Sequence, residues 1–105
     1  MNNHFDERFE SIRALAGEMQ RLAGLALQQY TPVVDNIISR NSKDVHYIEH
    51  TLDRLLDFCF FEPMVQLFRR LCCYFYDIDP NATASYVYTY REMWDSEELK
   101  ESPPR

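Results

Sequence analysis

The sequence predicts an all-α domain, a compact bundle of four to five helices with short loops and a long N-terminal helix. Three observations carry this. Apolar residues recur at alternating intervals of three and four, the period of a half-buried helix. Prolines 32, 63 and 80 fall where a new helix can begin, two of them directly after a residue able to cap one. The 105 residues include two glycines, too few for a loop-rich β-sandwich or for a phosphate loop built on several glycines.

The first helix is expected over about residues 5–30. Phe5, Phe9, Ile12, Ala16, Met19, Ala23, Ala26 and Tyr30 form its stripe, which Leu15 and Leu22 widen. Gly17 and Gly24, seven residues apart, share one face of it. Each costs about 1 kcal/mol relative to alanine, and close approach of another helix is one reason to tolerate that. Thr31-Pro32 reads as a cap and first helical residue, starting a short helix with Val33, Val34, Ile37 and Ile38 that ends near Arg40. Asn41-Ser42 is a turn, and Ser42 can cap the next helix, whose stripe is Val45, Ile48, Leu52, Leu55 and Cys59. Glu62-Pro63 restarts the chain, and Met64, Leu67, Phe68, Leu71 and Phe75 give that helix its buried side. Asp79-Pro80 begins a last helix through about Asp95. Tyr86-Val87-Tyr88-Thr89-Tyr90 alternates like a strand, but it lacks a partner strand and follows a capped helix start, so helix is the expectation.

Residues 1–96 form a single domain in this reading, followed by an acidic, proline-containing tail at 97–105 that should fray. Seventeen acidic residues against eleven basic ones give a net charge of −6, spread evenly along the chain. Nucleic-acid binding is therefore disfavoured, since a phosphate backbone calls for a clustered positive face. Charges within the most apolar stretch, residues 55–78, exclude a membrane span there. The absence of an export signal at the N-terminus, and three cysteines without disulfide or zinc spacing, suit a reduced cytoplasmic setting.

Two short motifs carry candidate chemistry. In His46-Tyr47-Ile48-Glu49-His50 the histidines lie four apart on one helix face, and with Glu49 they could reach a metal ion. The order of these residues resembles the inverted zinc-protease signature, over five residues, in which the glutamate activates a metal-bound water. On residue types alone, His46, His50, Asp53 and Asp57 also make an ordinary solvated stripe. Arg40-Asn41 followed by His46 resembles the arginine-to-histidine signature of HEPN-domain ribonucleases, small helical proteins that act as dimers. The resemblance implies that Arg40 stabilises phosphate charge, Asn41 orients it and His46 transfers a proton. No family resemblance extends over the full length, and no cofactor is implied.

Cys59, Cys72 and Cys73 sit in apolar context, as buried small hydrophobes do; Cys59 and Cys72 fit core positions, and Cys73 is the one expected to be partly exposed. Eleven of the fifteen aromatic residues lie between Phe58 and Trp94. Among these Tyr74, Tyr76, Tyr86 and Tyr88 suit an interface, because tyrosine keeps a polar tip at a wet boundary. A long first helix would also outrun its neighbours, and a second copy would cover the overhang. The favoured expectation is a small intracellular, non-catalytic interaction module, homodimeric, that binds a further protein partner. The alternatives are an HEPN-like ribonuclease using Arg40 and His46, and a metal-binding protein using His46, Glu49 and His50.

Overall fold

A computed structural model describes residues 3–95, with side chains from residue 7 onward. Four helices occur in order: α1 (Asn3–Ser39), α2 (Val45–Leu56), α3 (Glu62–Tyr76) and α4 (Pro80–Trp94). No strand occurs among the described residues, so Tyr86–Tyr90 is helical as expected. The acidic tail at 97–105 lies outside the described residues.

The helix break expected at Thr31-Pro32 does not exist. α1 is one helix of 37 residues, about 55 Å long, with Pro32 in its interior. The physical reason is phase: Ala23 and Ala26 before the proline, and Val34 and Ile37 after it, are buried on one face, so a single continuous element covers the core on both sides. Pro32 points to solvent, and the preceding hydroxyl contributes a bond in the turn where proline removes one. Thr31 does not cap a new helix; its Oγ1 donates to the Leu27 carbonyl at 2.6 Å.

Asn41 ends α1. It holds φ at 54°, the left-handed region asparagine tolerates, and the Ser42 and Asn41 amides donate to the Ile37 and Ile38 carbonyls. That pair of bonds is the Schellman stop. The cap of α2 is Asp44 rather than Ser42: Asp44 Oδ1 accepts from the Tyr47 amide at 3.2 Å, while Ser42 Oγ accepts from the Asp44 amide. A carboxylate at this position also complements the positive end of the helix dipole.

α3 is the centre of the packing and touches each of the other three helices; α1 and α2 also pack together. Ile48, Leu52 and Leu55 from α2, Met64 and Leu71 from α3, and Val34 from α1 have no exposed surface. All five apolar positions expected on α3 are buried. α4 starts as its sequence suggests, with Asp79 Oδ1 accepting from the Ala82 amide at 3.0 Å and Pro80 at the first helical position. It lies outermost: Thr83 is its one fully buried residue, and its larger side chains pack at the core's rim.

Candidate functional site

The corner between α1 and α2 gathers Arg40, Asn41 and His46, and all three are exposed. Arg40 directly follows the last residue of α1 and Asn41 supplies the left-handed residue that stops the helix, so Asn41 has a backbone role independent of any phosphate. His46 lies in the first turn of α2. The corner is fastened from α3. Tyr74 donates its hydroxyl hydrogen to the Ser42 carbonyl at 2.6 Å, and the Lys43 ammonium sits 5.8 Å from the centre of the Tyr74 ring.

On α2, His46 and His50 both face solvent, while Glu49 is half-buried. Glu49 and Asp53 line a cavity of about 370 Å³ between α2 and α4, closed on the other side by Ser85, Tyr86 and Thr89. Among the described residues no three histidine, cysteine, aspartate or glutamate side chains converge as a group able to hold a metal ion. Tyr86 donates to the Glu49 carbonyl at 3.2 Å. Burial, followed by the neighbouring Asp53 carboxylate, pushes the Tyr86 hydroxyl well above its ordinary pKa, which keeps it a donor.

The four singled-out tyrosines divide into two pairs. Tyr74 and Tyr86 are half-buried and spend their hydroxyls on backbone carbonyls 32 and 37 residues away. Tyr76 and Tyr88 are 57% and 56% exposed and face a shallow groove with Val87 and Arg91. Trp94, which sequence reasoning placed among the aromatics without a role, donates its indole N–H to the Leu56 carbonyl at 2.8 Å and packs against Phe60. That carbonyl belongs to the last turn of α2, which helix geometry leaves without a partner of its own.

A further exposed apolar surface lies on the first half of α1. Every residue from 7 to 22 is exposed, including Ile12 at 63%, Leu15 at 62%, Met19 and Leu22. Its charged residues pair locally: Arg13 with Glu10 at 3.5 Å, and Arg21 with Glu18. A methyl group built on Gly17 or Gly24 would meet nothing within 4 Å, so no helix of this chain approaches either glycine.

Cys59 and Cys72 are buried, and desolvation pushes both thiols up to about 12; Cys73 is exposed. Among the described residues no buried side-chain nitrogen or oxygen lacks a hydrogen-bond partner, and no helix is long and apolar enough to cross a membrane. No protein-family model matches the chain, nor does any curated protein or solved structure.

Proposed function

We propose that the protein is a non-catalytic helical interaction module, acting in a reducing, cytoplasmic setting, whose principal binding element is the first half of α1. The observation that carries this is the uncovered stripe of Ile12, Leu15, Met19 and Leu22. Large exposed apolar patches on small proteins mark contact surfaces, because leaving them in water forfeits roughly 25 cal/mol for each Å² that a partner would bury. The groove beside Tyr76 and Tyr88 is a second surface of the same kind. Three free thiols, one exposed, suit a reduced compartment.

The ribonuclease reading places Arg40, Asn41 and His46 at one corner, but that corner is open, and its asparagine and tyrosine contacts are accounted for by chain reversal. The deciding experiment is capture from native-host lysate by immobilised wild-type protein and by Leu15→Glu, alongside an RNA-cleavage assay of wild type and His46→Ala with and without chelator. Partner capture lost in Leu15→Glu, with no cleavage in any condition, supports the interaction module. Cleavage that survives the chelator and is lost only with His46→Ala overturns it in favour of the nuclease, and cleavage that the chelator abolishes overturns it in favour of the metal site.

A further inference from the structure

The apolar face of α1 keeps one phase along the helix. At 3.6 residues per turn, Ile12, Leu15, Met19 and Leu22 lie within about 60° of the same line as Ala23, Ala26, Tyr30, Val34 and Ile37. From Ala23 onward α2 and α3 occupy that face, and Ala23, Ala26, Val34 and Ile37 are buried there. Before Ala23 the same face is open: Ile12, Leu15, Met19 and Leu22 are all exposed. The open segment is a continuation of the core surface.

Resting on the reading of α1 as the binding element, we infer that its occupant is a second copy of this chain, packed antiparallel about a two-fold axis near Leu15 and Ala16. The direction follows from what already sits on the helix. A partner α1 running parallel along the open stripe would continue past Ala23 into the space α2 and α3 fill. Run antiparallel, it brings its own stripe alongside and leaves beyond the opposite end; only its residues 3–8 come level with 23–28 at the near edge of the α2–α3 layer, where a parallel partner would drive its whole second half into that layer. In this register Ile12 stands level with the partner subunit's Met19, and Leu15 with the partner subunit's Ala16. A symmetric contact of this kind is the commonest oligomeric arrangement.

Charge selects the same occupant. Residues 7–25 carry three glutamates and three arginines, so they are neutral, and the whole excess of −6 lies in the rest of the chain. Two-fold symmetry sets each surface against its own copy, so a self-docking face has to avoid net charge. A face for nucleic acid or an anionic lipid surface would instead be rich in lysine and arginine. The area suffices as well. Phe9, Ile12, Leu15, Met19 and Leu22, at 44–63% exposed, offer roughly 500 Å² per copy, so two copies bury about 1,000 Å², where specific interfaces begin. Gly17 and Gly24 lie about 150° around the helix from the stripe, outside this contact.

The test is sedimentation equilibrium of the full chain at micromolar concentration, for wild type and Leu15→Glu, with circular dichroism to confirm that both are folded. The expected result is a dimer whose dissociation constant rises about a hundredfold or more in Leu15→Glu, because the variant sets a carboxylate into an apolar seam. Orientation is read by oxidative cross-linking on a Cys73→Ser background. Leu15→Cys should link to itself, whereas Ile12→Cys should link only when mixed with Met19→Cys, since a disulfide needs Cα atoms within about 7 Å. A strict monomer overturns the inference, and so does a dimer in which Ile12→Cys links to itself. A monomer whose capture of another protein is lost in Leu15→Glu removes the second copy but leaves the interaction module standing. A monomer whose capture ignores the stripe removes both.

Discussion

Tyr74 on α3 holds the α1–α2 corner in place by donating its hydroxyl hydrogen to the Ser42 carbonyl, 2.6 Å away and 32 residues earlier. The acceptor belongs to a turn residue whose carbonyl is outside any helix ladder, so a side chain from a third element completes it. Tyr74→Phe keeps the ring, its packing and the Lys43 contact while deleting that bond. The expected cost is about 1 kcal/mol, which for a domain of this size lowers the thermal midpoint by about 4–8 °C. Urea unfolding of the two proteins checks it; an unchanged midpoint would mean that water replaces the bond at no cost.

Much of the fold was legible in the sequence, and its misreadings have identifiable causes. Asp79-Pro80 and Glu62-Pro63 start helices because nothing apolar continues in phase across them. Thr31-Pro32 presents the same signal, but the stripe passes through it unbroken, and burial of Val34 and Ile37 outweighs the lost backbone bond. Local propensity alone does not show which of the two wins. The sequence marks Asn41 only as a turn residue, because its left-handed φ becomes visible with the backbone. Of the candidate site residues, Arg40 and His46 share a corner as their spacing implied. The division of the tyrosines into fasteners (Tyr74, Tyr86) and exposed rings (Tyr76, Tyr88) depends on which carbonyls lie across the bundle, and no periodicity encodes that.

Pro32 offers a test with a definite sign. In a helix interior proline is about 3 kcal/mol less favourable than alanine, offset here by the Thr31 hydroxyl bond to Leu27 and by the stiffer unfolded chain proline confers. Pro32→Ala is therefore expected to stabilise the protein by about 1–2 kcal/mol, read as a higher urea midpoint at unchanged slope. Had Pro32 opened a separate helix, the same substitution would be neutral or destabilising. A lower midpoint would contradict the continuous α1.

The buried thiols link stability to alkaline pH. Cys59 and Cys72 are held at about 12 by burial, against a usual value near 9. Below pH 9 both states keep the thiols protonated and stability is unaffected. Between pH 9 and 12 the unfolded chain ionises while the folded one does not, so the unfolded state is favoured increasingly as pH rises. At pH 10 this amounts to about 1 kcal/mol for each thiol. Thermal midpoints should be flat up to about pH 9 and fall above it, and the fall should be shallower in Cys59→Ala/Cys72→Ala whatever offset those substitutions introduce. Native-state alkylation provides a parallel reading: the exposed Cys73 should react, and the other two only after unfolding.

Gly17 and Gly24 separate two faces of the same helix. Adding a methyl group meets open space at both positions, so Gly17→Ala/Gly24→Ala removes a helix penalty of about 1 kcal/mol at each without a steric cost inside the chain. The gain at Gly17 should appear as greater helicity at 222 nm, because residues 7–22 pack on nothing buried, while the gain at Gly24, between the buried Ala23 and Ala26, should also raise the bundle's unfolding midpoint. Its effect on self-association identifies the face in use. If two helices met across the glycines, the added methyls would hold them apart and the dimer would weaken. If they meet across Leu15 and Leu22, on the opposite side, the glycine variant should associate as tightly as wild type or more tightly, since a better-formed α1 loses less entropy on docking. Sedimentation equilibrium of the double alanine variant beside Leu15→Glu reads both faces, and weakening in the alanine variant would move the contact from the stripe to the glycines.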